Sequence, residues 1–479
     1  MGIDAQIDAY FKPVADNIAE VVFYSIPLTE TLDLKLILIW LVLAALFFTV
    51  YLGFINFRYF SHALRIVCGK DSDDSKKDGQ ISSFQALMTS MAATVGLGNI
   101  AGVAVAISIG GPGAALWMAV MGFFGMSVKF AEVMCGVKYR KHLDPNRPDE
   151  IYGGPMYYIR DAFTNRNIPY LGPLMASVFS IFCMVGALGA AALFQTNQSF
   201  QQLLNVTGGA ESVIADKGWL FGLFMVVISG VVIIGGIKSI ARVSSRIVPF
   251  MAAVYIAMAL VVLAFHVGDI PAALVTIFTG AFTPEAGLGA LFGALLVGVQ
   301  RASFSNEAGL GSAAVSQSSV RTDNPVEQGF VGMLGPFIDT IVVCSVTAIV
   351  IVITGAYETG SGVEGVELTS RAFESVVSWF PYLLAIIVFM FAYSTIIGWY
   401  YIGVKGFADL FGQKNWVENI YKIIFCVFIV IGASANLSSV ILFTDAMVLA
   451  MAVPNLIGLY LLAPEIKRDI RAYMKKLKA

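Results

Sequence analysis

Apolar stretches about 20 residues long recur along the whole chain, and this pattern constrains the fold more than any single motif. They lie at Leu34–Phe54, Phe84–Ser108, Ala114–Val137, Leu171–Phe200, Trp219–Gly236, Ile247–His266, Leu288–Ala314, Phe330–Thr354, Tyr382–Gly406, Ile420–Ser434 and Val440–Ala463. Each is long enough to cross a bilayer as a helix, so the chain reads as an all-α polytopic membrane protein with about eleven transmembrane helices. Composition agrees: 58% of the 479 residues are hydrophobic and 13% are charged, against roughly a quarter charged in a soluble domain. The lipid bilayer is therefore an expected partner. A net charge of −2 gives no footing for a nucleic acid, and none is expected.

Lysine and arginine fall on alternate connections. Arg58, Arg65, Lys70, Lys76 and Lys77 follow the first span, and Lys138, Arg140, Lys141, Arg147, Arg160 and Arg166 follow the third. Lys238, Arg242 and Arg246 follow the fifth, Arg321 the seventh, and Lys405 and Lys414 end or follow the ninth. Lys467, Arg468, Arg471, Lys475, Lys476 and Lys478 lie in the tail, while the other connections carry little beyond Lys217 and Arg371. The positive-inside rule then places the N-terminus outside and the C-terminus in the cytoplasm of a multi-pass cell-membrane protein. The expected divisions are an exterior segment at 1–33, an extra helix and cytoplasmic loop at 34–80, five-helix halves at 81–266 and 267–463, and a basic tail at 464–479. Val267–Gly287 reads as a bare exterior connection, and Tyr357–Trp379 as a long one that is partly amphipathic.

Two spans differ from the rest. The second contains Met91-Ala-Ala-Thr-Val-Gly96-Leu-Gly98-Asn99-Ile-Ala-Gly102, and the seventh Gln300-Arg-Ala-Ser303-Phe-Ser305-Asn306-Glu307-Ala-Gly309-Leu-Gly311-Ser312. Glycine costs about 1 kcal/mol relative to alanine inside a helix, and unwound backbone at membrane depth survives only where it lines a cavity or is buried in protein. Glycines also serve close helix packing, but packing has no use for Asn99, Asn306 and Glu307 in hydrocarbon. Gly-interrupted spans at corresponding places in two halves point to an inverted-repeat transporter and its site. At such breaks, free N–H groups can hold a carboxylate and free carbonyls a hard cation.

At these residues the chain resembles the alanine or glycine:cation symporters (sodium:alanine symporters) of the amino acid–polyamine–cation superfamily. The resemblance covers most of its length and is carried by Gly96-Leu-Gly-Asn-Ile-Ala-Gly102, Gly110-Gly-Pro-Gly-Ala-Ala-Leu-Trp-Met118, Gly153-Gly-Pro-Met-Tyr-Tyr158 and Ser305-Asn-Glu-Ala-Gly-Leu-Gly-Ser-Ala-Ala314. Leu116 stands where an aromatic is expected in the family's Gly-Gly-Pro motif. The resemblance implies a leucine-transporter-like (LeuT-like) fold: two inverted five-helix repeats, with one extra N-terminal helix here. It implies sodium-coupled symport of small neutral amino acids such as alanine and glycine, with sodium as coupling ion and no organic cofactor. It further implies that the N–H groups of Leu97 and Gly98, beside Thr94 and Gly96, take the substrate carboxylate. The Thr94 carbonyl, Asn99 and Ser305 would hold one sodium, and the carbonyls of Ala92 and Val95 a second with Ser394 and Thr395. Phe304 would lie over the substrate side chain, with Asn306 and Gly309 at the facing break.

Other residues keep two readings. Gln195, in the polar run Phe194–Gln198, either reaches the substrate or marks the end of its helix. Trp399 shares a helix face with Thr395 and either caps the pocket or packs against its neighbours. Asp339 either balances a cation or pairs with Arg301, Glu307 faces the substrate or a cytoplasmic network, and Lys129 and Glu132 read as a local pair. The five cysteines have no paired spacing, and the three histidines suit neither a metal site nor a proton relay. No nucleophile–base or metal constellation suggests an enzyme, and dissimilar broken helices suit a carrier better than a channel. An amino-acid sensor on a transporter fold, or a proton-coupled transporter, remains the alternative.

Overall fold

Helices occupy every apolar stretch named above in the computed structural model, which describes residues 3–29, 32–68, 79–143, 150–282, 288–359 and 365–478. Lys70, Lys76, Lys77 and Arg147 lie outside the described residues. Among those described, seven helices are long and apolar enough to cross a membrane, and the bent pair Ser83–Thr94 and Leu97–Gly110, turned through 58°, makes an eighth. Leu36–Tyr51 and Gly218–Ile233 are apolar but shorter. Val227, Val231, Phe250 and Ile386 stand exposed on the outside of the bundle. Such a surface would aggregate in water but is at home against lipid tails.

Local chemistry sets where helices begin. Ser82 and Gln85 form a reciprocal capping box at 3.2 and 3.1 Å, opening the first broken helix, which satisfies two N–H groups that would otherwise be orphaned. Asn324 accepts from Val326 N–H ahead of Pro325, and Asn436 accepts from Ser438 N–H at 2.9 Å. Two spans carry π-helical turns, Leu188–Leu193 and Phe337–Cys344. These widen the helix locally and occur most often where a site needs a carbonyl or side chain re-aimed.

Helix Ile3–Val22 packs against the C-terminal half, with Phe11 and Phe443 ring centroids 5.4 Å apart, and Asp4 and Asp8 accept from the Gly218 and Asn436 N–H groups. A short antiparallel hairpin, Ser25–Thr29 with Leu32–Lys35, follows it and is an addition to the expected all-α plan. The bare connection expected at Val267–Gly287 is largely a helix, Ile270–Phe282, packed against helix Gly113–Lys138. Its apolar residues had read as a loop because the run is too short to span. The long connection Tyr357–Trp379 contains helix Val366–Glu374, which takes in the first half of its amphipathic stretch, Ser370–Trp379. The basic tail continues helix Ala452–Lys478 through Pro464.

The core forms around the two broken helices. The first lies against helices Gly236–Phe265 and Phe380–Phe411, and the second against Gly113–Lys138. Their breaks face each other at the centre of the bundle.

Candidate functional site

The first break opens where Val95 leaves helical geometry (ψ 84°), and a single tight turn, Leu97–Asn99, precedes the second half-helix. The Gly96 N–H donates to Asn99 Oδ1 at 2.9 Å, and the Leu97 N–H donates to Gln195 Oε1 at 3.0 Å. A Cβ at position 96 would collide with Thr395 Oγ1 and come within 3.1 Å of Gln195 Oε1. Glycine is thus required here by close approach. Gln195 is held in turn by the Ala190 carbonyl, 3.0 Å from its Nε2, at the π-helical turn.

At the second break three successive odd positions, Glu307, Gly309 and Gly311, have left-handed φ of 55°, 93° and 80°. The strain at Glu307, a non-glycine, is on the order of 1–3 kcal/mol and is offset by a dense set of partners. Ser312 Oγ donates to Glu307 Oε2, Trp399 Nε1 donates to Oε1 at 2.8 Å, and Lys129 Nζ donates to the Glu307 carbonyl at 3.1 Å. Glu132 Oε1 accepts from the Gly311 N–H and from Asn455 Nδ2, which also donates to the Gly309 carbonyl. Asn306 Oδ1 accepts from the Ala308 N–H and its Nδ2 donates to Thr340.

Between the breaks lies a buried polar cluster. Asn99 Nδ2 donates to Ser305 Oγ at 3.3 Å and to the carboxylate and carbonyl of Asp339. Ser305 and Thr340 each donate to Asp339 Oδ2 at 2.8 Å, and Cys344 Sγ lies 3.2 Å from Ser305 Oγ. The Ser305 and Thr340 hydroxyls and the Asp339 carboxylate are oxygens of the kind a hard cation uses, while Asn99 turns its Nδ2 to them, its Oδ1 being taken by the Gly96 N–H. Thr395 Oγ1 is buried beside the first break, with no hydrogen-bond partner among the described residues. Ser394 Oγ instead donates to the Phe391 carbonyl of its own helix at 3.0 Å.

A small cavity lies against both breaks. Ala93, Thr94, Gly98, Ala190, Gln195, Phe304, Glu307, Trp399 and Val448 line its volume of about 10 Å³, room for about one water. Phe304 forms one wall, braced edge-on by Phe194 at 5.2 Å. Arg301 lies over the other side of that ring, 5.6 Å from its centroid.

The structure gathers Thr94, Gly98, Gln195, Phe304 and Trp399 at one cavity, with Gly96 and Leu97 against Gln195. Asn99 and Ser305 meet in the polar cluster, Ala92 and Val95 lie at the end of the first half-helix, and Thr395 approaches the adjoining Gly96. Asn306 and Gly309 are not among the cavity's lining residues. Asn306 caps the second break, and Gly309 faces Leu41 and Leu456. Two charge pairings are corrected. Arg301 pairs with Asp445, not Asp339, and Gln300 Nε2 also donates to Asp445 at 2.7 Å. Lys129 and Glu132 turn to the second break rather than bonding each other, because its freed carbonyl and N–H groups are stronger claims inside a bilayer. Asp445, Asn455 and Cys344 were missed. Polar residues within apolar spans were the available signal for the first two.

The sodium:alanine symporter family matches residues 20–479. The chain belongs to this family. It is 40% identical over 439 residues to the sodium/alanine symporter AgcS of Methanococcus maripaludis, covering 91% of this chain and 93% of that one. It is 33% identical to the probable sodium/glutamine symporter GlnT of Bacillus subtilis, over 93% and 89% of the two chains. In structure it is similar to the crystal structure of MhsT in complex with L-phenylalanine, at a TM-score of 0.55 and 17% identity over 81% of this chain and 89% of MhsT. That likeness shows the LeuT-like fold. Family membership makes this sodium:alanine symporter relative an integral membrane transporter and not an enzyme.

Proposed function

We propose that the chain imports small neutral amino acids, alanine and glycine, together with sodium, by alternating access across the cell membrane, N-terminus outside. The observation that carries this reading is the meeting of both breaks at one small cavity, with the Asn99–Ser305–Asp339 cluster beside it. The Gly98 side of the first break supplies backbone for a carboxylate, and Gln195 holds the adjoining Leu97 N–H until a substrate takes its place. Asp339 provides the negative charge that a sodium ion at Asn99 and Ser305 needs, and the orphaned Thr395 hydroxyl serves a second ion at the end of the first half-helix.

Phe304 and Trp399 are the bulky side chains on the cavity wall, which supports selection of alanine and glycine over branched side chains. The cavity is smaller than even glycine requires, so binding needs motion, and the two breaks are the hinges at hand. Uptake of labelled alanine into proteoliposomes under imposed sodium or proton gradients tests the proposal. Sodium-driven accumulation and alanine counterflow support it; uptake driven by protons alone, or binding without counterflow, overturns it.

A further inference from the structure

Three buried acids, Glu132, Glu307 and Asp339, surround the two breaks, and among the described residues one buried base, Lys129, stands against them. Arg301 and Asp445 neutralise each other. A carboxylate buried at membrane depth is costly unless a positive charge meets it. Asp339 belongs to the cation cluster described above. Glu132 is tied to Gly311 and Asn455, and Lys129 acts electrostatically on Glu132, Glu307 and Asp339. One ammonium is thus shared among three carboxylates, and its hydrogen bond goes to the Glu307 main-chain carbonyl rather than to any of them.

Glu307 is the acid on the cavity wall. Its left-handed backbone turns the side chain out of the helix and towards Trp399. Both partners it has there, Ser312 and Trp399, are neutral donors. An ionised carboxylate accepts about four hydrogen bonds, so it keeps capacity facing the cavity. Thr94, Gly98 and Gln195 line the same small space. A ligand whose carboxylate sits on the first break therefore has its α-ammonium, one carbon away, within reach of Glu307.

We infer that Glu307 is the counter-charge for the substrate's ammonium and, through the same carboxylate, the residue that positions Trp399. The inference rests on the amino-acid symport proposed above and adds to it a specificity-determining side chain. One group then reads both the charge and the size of the substrate: an ammonium ion draws on the carboxylate that holds the indole wall.

The test uses the full chain, purified and reconstituted, with alanine and lactate as probes. Lactate keeps the carbon skeleton and replaces the ammonium by a hydroxyl. Glu307→Gln should weaken alanine binding at least about tenfold and shrink the preference for alanine over lactate by a similar factor. Glu307→Asp, which keeps the charge, should retain most of the lactate discrimination, and it serves if the glutamine variant does not fold. Trp399→Phe, which lacks the indole N–H, should shift size preference while leaving the alanine-to-lactate ratio near wild type. Wild-type discrimination in Glu307→Gln, or loss of discrimination in Trp399→Phe equal to that in Glu307→Gln, would show that Glu307 acts only through Trp399 and overturn the inference. Failure of the wild type to bind alanine would overturn the proposed function itself, a result distinct from either.

Discussion

Arg301 donates to Asp445 across the gap between the second broken helix and helix Leu437–Ala450, and both side chains are buried. The pair sits one helical turn from Phe304, whose ring the guanidinium covers. Gln300 joins it from the same helix as Arg301, and Lys35 reaches Gln300 Oε1 at 3.2 Å from the end of the N-terminal hairpin. The pair thus ties the C-terminal part of the bundle to a cavity wall and to the N-terminal segment. Removing one partner leaves an uncompensated buried charge, which costs about 3–5 kcal/mol. Asp445→Asn should therefore lower the melting temperature of detergent-purified protein clearly. The double variant Arg301→Gln with Asp445→Asn should recover much of the loss. Thermal unfolding followed by size-exclusion fluorescence checks both, and equal melting temperatures in the wild type and single variant would count against a stabilising pair.

The proposed sodium sites make different demands on neighbouring side chains. Asn99→Ala, Asp339→Asn and Thr395→Ala should each raise the sodium concentration for half-maximal uptake by about 10–100-fold, the scale on which metal sites respond to altered ligands and their supports. Ser394→Ala should shift it far less, because that hydroxyl already serves the Phe391 carbonyl. Sodium titrations of alanine uptake in membrane-inserted variants measure the difference. Identical shifts at Ser394 and Thr395 would contradict the assignment.

Trp399 lines the cavity, and on the proposed function it limits the length of the substrate side chain. Each substrate methylene that finds room should favour binding by about 0.8 kcal/mol, whereas forcing it into filled space costs about 1–3 kcal/mol. Trp399→Ala should let valine and leucine compete with labelled alanine, with sodium dependence kept. Inhibition by a series from glycine to leucine reads this directly. An unchanged rank order in a folded variant would assign Trp399 to helix packing alone.

Gly96→Ala should be the most damaging of the conservative glycine changes at the first break. The added methyl meets Thr395 Oγ1 and Gln195 Oε1, so either the break or helix Phe380–Phe411 must shift, at an overpacking cost of about 1–3 kcal/mol. Alanine and sodium affinities should fall together, because the same contact borders both proposed sites. Gly230→Ala, where nothing lies within 4 Å, is the matched control and should behave as wild type in the same uptake assay.

Helix positions, the membrane as solvent and the two interrupted spans were legible in the sequence, since each depends on local physics. Twenty apolar residues must hydrogen-bond their backbone internally in lipid, and glycines beside Asn99, Asn306 and Glu307 have no use in an ordinary span. The motifs carried the family and, with it, the fold. What they did not carry were the partners of buried polar groups. Arg301 could have met Asp339, 38 positions on, but meets Asp445, 144 positions away. Lys129 and Glu132, three residues apart, turn instead to a break almost 180 positions along the chain. The two readings of Gln195 and Trp399 stayed level for the same reason: each depends on what a distant helix brings against it, here the Leu97 N–H and the Glu307 carboxylate. In a low-dielectric interior a polar group takes the strongest partner that packing places within reach, and only the assembled helices decide which partner that is.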